Sequence, residues 1–229
     1  MEGPKFISDH IYTSGLTDFI MVSDNASKEA KKVAQAADKR QLKVIEASFP
    51  IFSEISDTGT SQGIIAVCPT PEYAIRDILN GKTILVLDGV SDPGNAGTAI
   101  RSAAAFDCSG VIFLKGSVFP FSPKVTRSAA GLNSKIPIYE MDDLSTLKSK
   151  NSDYHFLGAQ ANAKPVSDLL QTLSGPTCIV IGSEAHGLSE KSKKAITEYV
   201  SIPMTKGVES LNAGVSASIL LYSLFRKNS

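Results

Sequence analysis

The second half of the chain alternates short apolar runs with helical segments, and this alternation constrains the fold more than any other feature. Short apolar runs bounded by turn residues are typical of buried strands. Strands that alternate with helices form a mostly parallel sheet covered on both faces. We therefore predict an α/β domain, with strands at Ile84–Leu87, Val111–Leu114, Ile136–Tyr139, His155–Leu157, Cys178–Ile181 and Val200–Ile202.

Glycine-bearing turns follow three of these strands. Gly89 and Gly182 each stand at the end of a strand, and a loop that contains Gly207 follows Met204. Ligands of open α/β sheets bind beyond the carboxyl ends of the strands, where helix N-termini offer unpaired N–H groups. We predict that the three turns line one ligand site. The first turn has neither the GxGxxG pattern nor a Walker lysine, which argues against an ordinary dinucleotide or ATP site.

The first half of the chain predicts a separate, smaller α/β domain. The prolines at Pro69 and Pro71 stop its last strand, because proline lacks the ladder donor and restricts the residue before it. We place the linker there and predict domains at 1–76 and 77–229. The predicted elements are a first helix that ends near Gly15, strands at Phe19–Val22, Lys43–Glu46 and Gly63–Cys68, and helices at Lys28–Arg40 and Phe49–Ile55.

Composition limits the partners and the compartment. The 229 residues carry 23 basic and 23 acidic side chains, so any RNA site must be a local patch. No apolar run reaches the ~18 residues of a membrane span, and we expect no signal peptide. Cys68, Cys108 and Cys178 lack the CxxC spacing of a zinc site, and two of them lie in apolar runs. We expect a cytoplasmic protein that requires no metal.

Several polar residues near the turns have a structural as well as a functional interpretation. Asp88 and Asp92 are compatible with a metal pair, but turns also favour aspartate for local hydrogen bonding. Asn95 is a suitable cap for the helix that contains Arg101. A single arginine is most often a solvated surface residue, but Arg101 stands among small apolar residues beside a ligand turn. Glu184 follows the second turn, where a carboxylate can accept from a helix N-terminus.

Three motifs in a fixed order carry a resemblance to a known family. They are Asn95 with Arg101 six residues later, then Gly182-Ser183-Glu184, then Ile202-Pro203-Met204 followed by Ser210-Leu211-Asn212. Together they resemble the signature motifs of the SpoU/TrmH family of RNA ribose 2′-O-methyltransferases, in the SPOUT superfamily. The resemblance covers Leu85 to Arg226. It implies a deep trefoil knot, which pattern reasoning alone would reject as too rare.

The resemblance also implies roles for individual residues. The family's catalytic positions match Asn95, Arg101, Glu184, Ser210 and Asn212. The implied cofactor is S-adenosylmethionine, with contacts expected from Gly182, Ile202, Met204 and Leu211. RNA contacts are expected from Lys124, Arg127 and Ser128, which lie in a segment similar to the family's helix between the first two motifs.

Arg101 is the residue for which the functional and the structural interpretations differ most. The resemblance makes it the catalytic residue that acts on the ribose hydroxyl. Arginine is a poor base, because its pKa exceeds ~12. We therefore interpret Arg101 as a side chain that grips a substrate phosphate with two hydrogen bonds and positions it against the 2′-OH.

The first half resembles the ribosomal-protein-like substrate-binding domain attached to many members of this family. The matching phrases are Glu2-Gly3-Pro4-Lys5 and the stretch from Ile55 to Val67. The chain begins immediately before the first phrase, where relatives usually have a basic helix and a strand. The attached domain favours ribosomal RNA over transfer RNA as the structured RNA substrate.

The last helix bears on assembly. Its apolar residues lie nearly side by side and offer more apolar surface than one helix face buries. They are Ile219, Leu220, Leu221, Leu224 and Phe225. With the resemblance, this predicts a homodimer through the C-terminal domain, against a monomer that buries the helix. Two other functions stay open: a non-catalytic RNA-binding protein that retains the fold, and a base methyltransferase of the same superfamily.

Overall fold

The computed structural model describes residues 1–13, 16–151 and 153–228, and their contacts separate the chain into two compact units. Unit 1 is Met1–Pro71 and unit 2 is Glu72–Ser229. The expected boundary after residue 76 falls inside a single helical turn, Ile75–Ile78, that the sequence pattern does not predict. Each unit has a buried apolar core of its own.

Unit 1 packs helices on a small mixed sheet. Its elements are α1 (Pro4–Thr13), β1 (Phe19–Ser23), α2 (Lys28–Lys39), β2 (Val44–Ala47), α3 (Phe49–Ile55) and β3 (Ile64–Val67). β1 lies in the middle, parallel to β2 and antiparallel to β3. α2 begins where Ser27 Oγ accepts from the Ala30 N–H at 3.1 Å, and its alanines face the core. These elements match the predicted ones, apart from the end expected near Gly15, which lies outside the described residues.

Glu2 joins the two phrases of unit 1 that carried the family resemblance. Its carboxylate accepts hydrogen bonds from Ser56 Oγ at 2.7 Å, from Ser61 Oγ at 2.6 Å and from Thr58 Oγ1. Burial disfavours the charged form of Glu2, but these hydrogen bonds outweigh it and lower the pKa of the carboxyl. The loop from Ser56 to Ser61 is therefore tied to the start of the chain.

Unit 2 is built on a parallel sheet. Its elements are α4 (Ile75–Ile78), β4 (Ile84–Asp88), α5 (Pro93–Ala105), β5 (Gly110–Leu114), α6 (Pro123–Ser128), β6 (Ile138–Met141), α7 (Ser145–Lys150), β7 (His155–Pro165), α8 (Val166–Thr172), β8 (Thr177–Gly182), α9 (Glu190–Ala195), β9 (Glu198–Ser201) and α10 (Ala213–Asn228). The strand order is β6-β5-β4-β8-β7-β9, and each neighbouring pair runs parallel. The prediction of a mostly parallel sheet is confirmed.

Both faces of this sheet are covered. Within β4, Leu85 and Leu87 belong to the core on one face, and Ile84 and Val86 belong to the core on the other. Successive strand residues point to opposite faces, so a strand that is apolar throughout needs cover on both sides. α5 and α10 contribute to the first core, and α7 and α9 contribute to the second.

Two strands differ from their predicted extents. β7 continues to Pro165 instead of ending at Leu157, with an irregularity between Ala159 and Lys164 where it pairs with β9. This outer part is polar and largely exposed, so no apolar run marks it. β6 starts two residues later than predicted, at Ile138, because Pro137 lacks the N–H that the ladder needs.

α10 is split between the core and the surface. Leu220, Leu221 and Leu224 are buried within the unit, which accounts for much of the apolar surface of this helix. Tyr222 is 47% exposed and Phe225 is 37% exposed. Both rings pack against the ring of Phe106, whose centroid lies 5.5 Å from that of Tyr222 and 5.9 Å from that of Phe225. An aromatic surface, formed by Phe106, Tyr222 and Phe225, is therefore left at the surface of unit 2.

The cysteines behave as apolar side chains. Burial raises the pKa of the Cys108 thiol to about 12 and also raises that of Cys178. All three thiols are free. Among the described residues, no cluster of histidine, cysteine and carboxylate side chains is suited to a metal ion. Within that same part of the chain, no helix has the length and apolar character to span a membrane.

Candidate functional site

The predicted turns meet at one edge of the sheet of unit 2. β4 and β8 are neighbours, and their last residues, Asp88 and Gly182, are paired in register. β9 ends at Ser201 on the same edge, because all strands are parallel. The segments that follow these strands are thus brought together by topology rather than by sequence proximity.

A cavity of about 510 Å³ opens between the second and third of these segments. The end of β7 and the first turns of α10 complete its wall. All four residues predicted to contact a cofactor line it, together with three of the predicted catalytic residues. They are Gly182, Ile202, Met204, Leu211, Glu184, Ser210 and Asn212. Asn95 and Arg101 belong to the neighbouring helix α5 instead.

Gly182 is required by the way the second turn folds back on itself. A Cβ at this position would overlap the carbonyl group of Gly187 and lie 2.5 Å from the Leu188 nitrogen. Ser183 and Gly187 exchange backbone hydrogen bonds of 3.0 and 2.8 Å, which close the turn. His186, on the same turn, lines the cavity and is exposed. The cavity wall here is therefore backbone held in one conformation.

Asp88 fixes the far end of this turn, and the sequence interpretation missed it. Its carboxylate is buried and accepts from the Ser189 N–H at 2.7 Å. The sequence pattern predicts an ordinary turn residue at this position, because burial does not show in the pattern. In the sequence, only the position of Asp88 indicates a role in the site. It directly precedes Gly89, at the carboxyl end of the central strand β4.

A chain of amide and carboxylate groups joins the three motifs. Asn95 Nδ2 donates to Glu184 Oε1, and Asn212 Nδ2 donates to Asn95 Oδ1 at 2.5 Å. Asn212 Oδ1 in turn accepts from the Val215 N–H at 3.2 Å, at the start of α10. Asn95 thus contacts one predicted catalytic residue from each of the other two motifs.

The helix cap that Asn95 was suited to provide is supplied by Asp92 instead. Asp92 Oδ1 accepts from the Asn95 backbone N–H at 2.7 Å, and Pro93 stands at the first position of the helix. The side chain of Asn95 is therefore available for Glu184 and Asn212. This also assigns Asp92 to the local hydrogen bonding that turns favour.

Arg101 lies on the third turn of α5 and its side chain is exposed. Within the described part of the chain, its guanidinium has no hydrogen bond or ion pair. The helix beneath it is closely packed: a Cβ on Gly97 would overlap Ser128, and a Cβ on Gly214 of α10 would lie 3.0 Å from the Asn95 carbonyl oxygen. A closely packed helix therefore presents to solvent a charged group with unused donors.

The residues expected to contact RNA lie on α6, beside α5. Lys124 and Arg127 are exposed. Ser128 is half-buried, and its hydroxyl donates to the Gly94 carbonyl at 3.2 Å, which ties α6 to the first turn of α5. Ser128 thus has a structural contact, while the two basic residues face outward.

Two family models match the chain. The SpoU rRNA methylase family matches residues 82–222, and the RNA 2′-O ribose methyltransferase substrate-binding domain matches residues 17–74. The first match spans the sheet, the cavity and α5, and the second covers unit 1 from Thr17 onward and ends three residues beyond it.

Individual relatives agree with these matches. A Staphylococcus saprophyticus protein assigned to the TrmH family of tRNA/rRNA methyltransferases is 30% identical over 98% of this chain and 94% of its own length. The 23S rRNA (guanosine-2′-O-)-methyltransferase RlmB of Nitrosomonas europaea is 30% identical, over 95% of this chain and 86% of its own. The SpoU methyltransferase AviRb of Streptomyces viridochromogenes, solved with AdoMet, shares the fold with a TM-score of 0.84, at 21% identity over 100% of this chain and 89% of its own.

The fold, the site and these matches define the class of protein. It is an α/β RNA methyltransferase that carries a second domain of the substrate-binding type. More particularly, the chain belongs to the SpoU rRNA methylase family.

Proposed function

We propose that this protein transfers a methyl group from S-adenosylmethionine to a ribose 2′-OH of structured RNA, and that ribosomal RNA is the preferred substrate over transfer RNA. The observation that carries the proposal is the hydrogen-bond chain from Glu184 through Asn95 to Asn212, which stands beside a cavity lined by the other two motifs. The 2′-O specificity is supported by the substrate-binding family and by the RlmB relative.

The cavity is suited to the cofactor. Its volume falls within the ~300–1,000 Å³ of small-molecule sites, and its wall combines backbone turns with half-buried apolar side chains. We propose that Gly182 offers backbone groups to the adenine edge, and that Ile202, Met204 and Leu211 form the apolar slot for the ring. When bound, S-adenosylmethionine supplies an electrophilic methyl group on its sulfonium.

The proposed catalytic residues divide the remaining work. Arg101 grips an RNA phosphate with two of its N–H donors and so places the ribose hydroxyl in line with the methyl group. Asn95, Glu184 and Asn212 hold one another in fixed orientations at the rim of the cavity. Ser210, which lines the cavity, supplies a further hydroxyl near the reacting groups. In-line geometry matters more here than acid–base strength: the bond from the ribose oxygen to the methyl carbon would form as the bond from the methyl carbon to sulfur breaks, and the hydroxyl proton would depart to solvent water.

We propose that both α6 and unit 1 bind the RNA substrate. Lys124 and Arg127 attract the phosphate backbone, and Ser128 supports the helix that carries them. Unit 1 selects the RNA, in keeping with the substrate-binding family that it matches. The free thiols are in keeping with a reducing cytoplasm.

We also propose a homodimer through unit 2. The aromatic surface of Phe106, Tyr222 and Phe225 is an apolar part of α10 and its surroundings that the unit leaves open. Sedimentation of the fragment 72–229 tests this, since the fragment should form dimers and bind the cofactor. Tyr222→Glu should shift the fragment to monomers, and an unchanged mass would exclude this surface.

The trefoil knot is part of the same proposal. β9 is at the sheet edge, yet α10 packs on α5 and β8 further inside. The segment between Ser201 and Ala213 therefore has to cross the end of β7. Stretching the unfolded chain between its termini in optical tweezers should give a contour length shorter than that of a free chain of this size. A full-length extension would exclude the knot.

Binding and transfer together test the function. Isothermal calorimetry should show S-adenosylmethionine binding to the purified protein in the presence of a chelator. Labelled methyl should then appear in RNA from cells that lack the gene, and nuclease mapping should place it on ribose. Absent cofactor binding would favour a non-catalytic RNA-binding protein, and label on a base would favour the other type of superfamily enzyme.

A further inference from the structure

The loop that joins β5 to α6 presents an aromatic side chain to solvent. Phe119 is 52% exposed, which is more than any other large apolar side chain in the described part of unit 2. Val208 precedes α10, and the remaining exposed ones lie on α10 itself. Phe119 is therefore separate in sequence from the aromatic surface proposed for dimer formation.

Phe119 is held in place from both sides. Before it, Ser117 Oγ accepts from the Gly89 N–H and donates to the Leu87 carbonyl, each at 3.0 Å. The Val118 N–H also donates to the Val90 carbonyl at 2.9 Å. The loop is thus bonded to the turn that leads into α5, the helix of Arg101.

The other side of the loop is equally fixed. The carbonyl of Pro120 accepts from Asn133 Nδ2 at 3.0 Å, and Asn133 is buried. The ring of Phe119 meets that of Phe121 edge-on, with centroids 6.0 Å apart, and Phe121 packs against the core. An exposed aromatic ring on a rigid support is a costly arrangement for an isolated protein and a favourable one for binding.

The charge of this segment indicates the partner. Residues 115–128 contain Lys115, Lys124 and Arg127 and no acidic side chain. A second copy of the chain is disfavoured as the partner. A two-fold contact through this segment would bring the same cations together across the interface. Aromatic rings next to positive charge are the usual means of binding unpaired nucleic acid, since bases stack on the ring while the cations follow the phosphates.

We propose that Phe119 stacks on an unpaired base of the RNA next to the nucleotide that is methylated. This rests on the function proposed above and narrows its substrate to a loop, bulge or other unpaired segment. In a continuous duplex the bases are stacked on each other and offer no free face to Phe119.

Titrations with two RNA probes test the proposal. One probe is a labelled single strand of about 15 nucleotides, within the site sizes of proteins that stack bases, and the other is the duplex of that strand. Phe119→Ala should weaken binding of the single strand at least about fivefold, the lower end for loss of one stacked base, with little change for the duplex. Phe119→Trp should restore it, whereas Phe119→Leu, which keeps apolar bulk without a π face, should not.

Two controls separate this proposal from its alternatives. Val208→Ala shortens another exposed apolar side chain of unit 2, outside the proposed dimer surface, and should leave the ratio of single-strand to duplex affinity unchanged. Calorimetry with S-adenosylmethionine should give the parent's affinity for Phe119→Ala, because Phe119 does not line the cavity. A parent that binds no cofactor would contradict the proposed function instead.

The outcomes that overturn the proposal are equally definite. Equal RNA affinities for Phe119→Ala and the parent would remove Phe119 from the RNA surface. RNA affinity fully retained by Phe119→Leu would show that Phe119 makes an apolar contact with the RNA and does not stack on a base. A smaller sedimenting mass for Phe119→Ala would assign the ring to an interface between copies of the chain.

Discussion

The cavity wall and the outer face of α5 and α6 are adjacent in unit 2, but they are built in opposite ways. The wall consists of turns closed by backbone hydrogen bonds and by glycines with no room for a Cβ, such as Gly182. The outer face consists of exposed side chains, among them Arg101 and Lys124, on a closely packed support. The backbone of the wall therefore has little conformational freedom, whereas the outer face presents charged side chains to solvent.

This difference separates two kinds of recognition. A small cofactor needs a fixed shape, which backbone and buried side chains provide. A large anionic polymer needs charges that reach its phosphates, which exposed arginine and lysine provide. Changes to the wall should therefore alter cofactor binding, and changes to the outer face should alter RNA binding or transfer. Each variant below tests whether that separation holds.

Leu211→Arg should have the largest effect, because it places a charge without a partner in the half-buried slot of the cavity. We expect the affinity for S-adenosylmethionine to fall about 1000-fold or more. Calorimetry measures it, with Val208→Arg, at an exposed position of the same loop, as the matched control. An affinity equal to that of the parent would remove Leu211 from the cofactor wall.

Arg101→Ala should reduce single-turnover methyl transfer by at least ~100-fold, the scale of losing one oriented catalytic group. Thermal melting and cofactor affinity should stay near those of the parent, because the side chain is exposed and does not line the cavity. Lysine should rescue poorly, since a point charge cannot make the planar two-pronged contact. Full activity, or inactivity caused by unfolding, would return Arg101 to a surface role.

Asp88→Ala should weaken cofactor binding about 10-fold, because the second turn loses the charged acceptor that fixes Ser189. Asp88→Asn retains an acceptor oxygen and should recover much of the loss. Hydrogen exchange at the Ser189 amide provides an independent readout, and the exposed Asp107→Ala serves as the control. A lower melting temperature with unchanged cofactor affinity in the folded protein would make Asp88 structural only.

Lys124→Gln should have the smallest effect, because one exposed cation contributes modestly to phosphate binding. We expect RNA affinity to fall about two- to fivefold and the slope of log affinity against log salt to drop by about one. Cofactor affinity should not change. Titrations at several salt concentrations measure both, and an unchanged salt slope would place Lys124 away from the RNA.

Much of the fold was predictable because local pattern and topology agree. The central strands β4, β5 and β8 each contain an uninterrupted run of at least four apolar residues, and only a sheet covered on both faces buries such runs. The outer part of β7 was not predictable, since its pairing with β9 is interrupted between Ala159 and Lys164 and its residues show no apolar run. α4 is a single turn, too short for a helical period to show.

The candidate site shows the same limit. The sequence identified the glycine turn at Gly182 and the polar residues of all three motifs, because these residue types are distinctive. It left a helix cap open as an alternative role for Asn95, whereas Asp92, three residues earlier, caps α5 by accepting from the Asn95 N–H. It also passed over Asp88 and Phe119, whose significance depends on burial and exposure.

The sequence by itself determined the α/β class, the parallel sheet of unit 2 and the three motifs, since these follow from residue types and short spacings. Only the tertiary structure decided which groups meet: Asn95 with Glu184 and Asn212, Asp88 with Ser189, and the loop of Phe119 with the turn before α5. Such contacts join residues far apart in the chain. Strand order and helix packing set their distances, and neither is encoded in a local pattern.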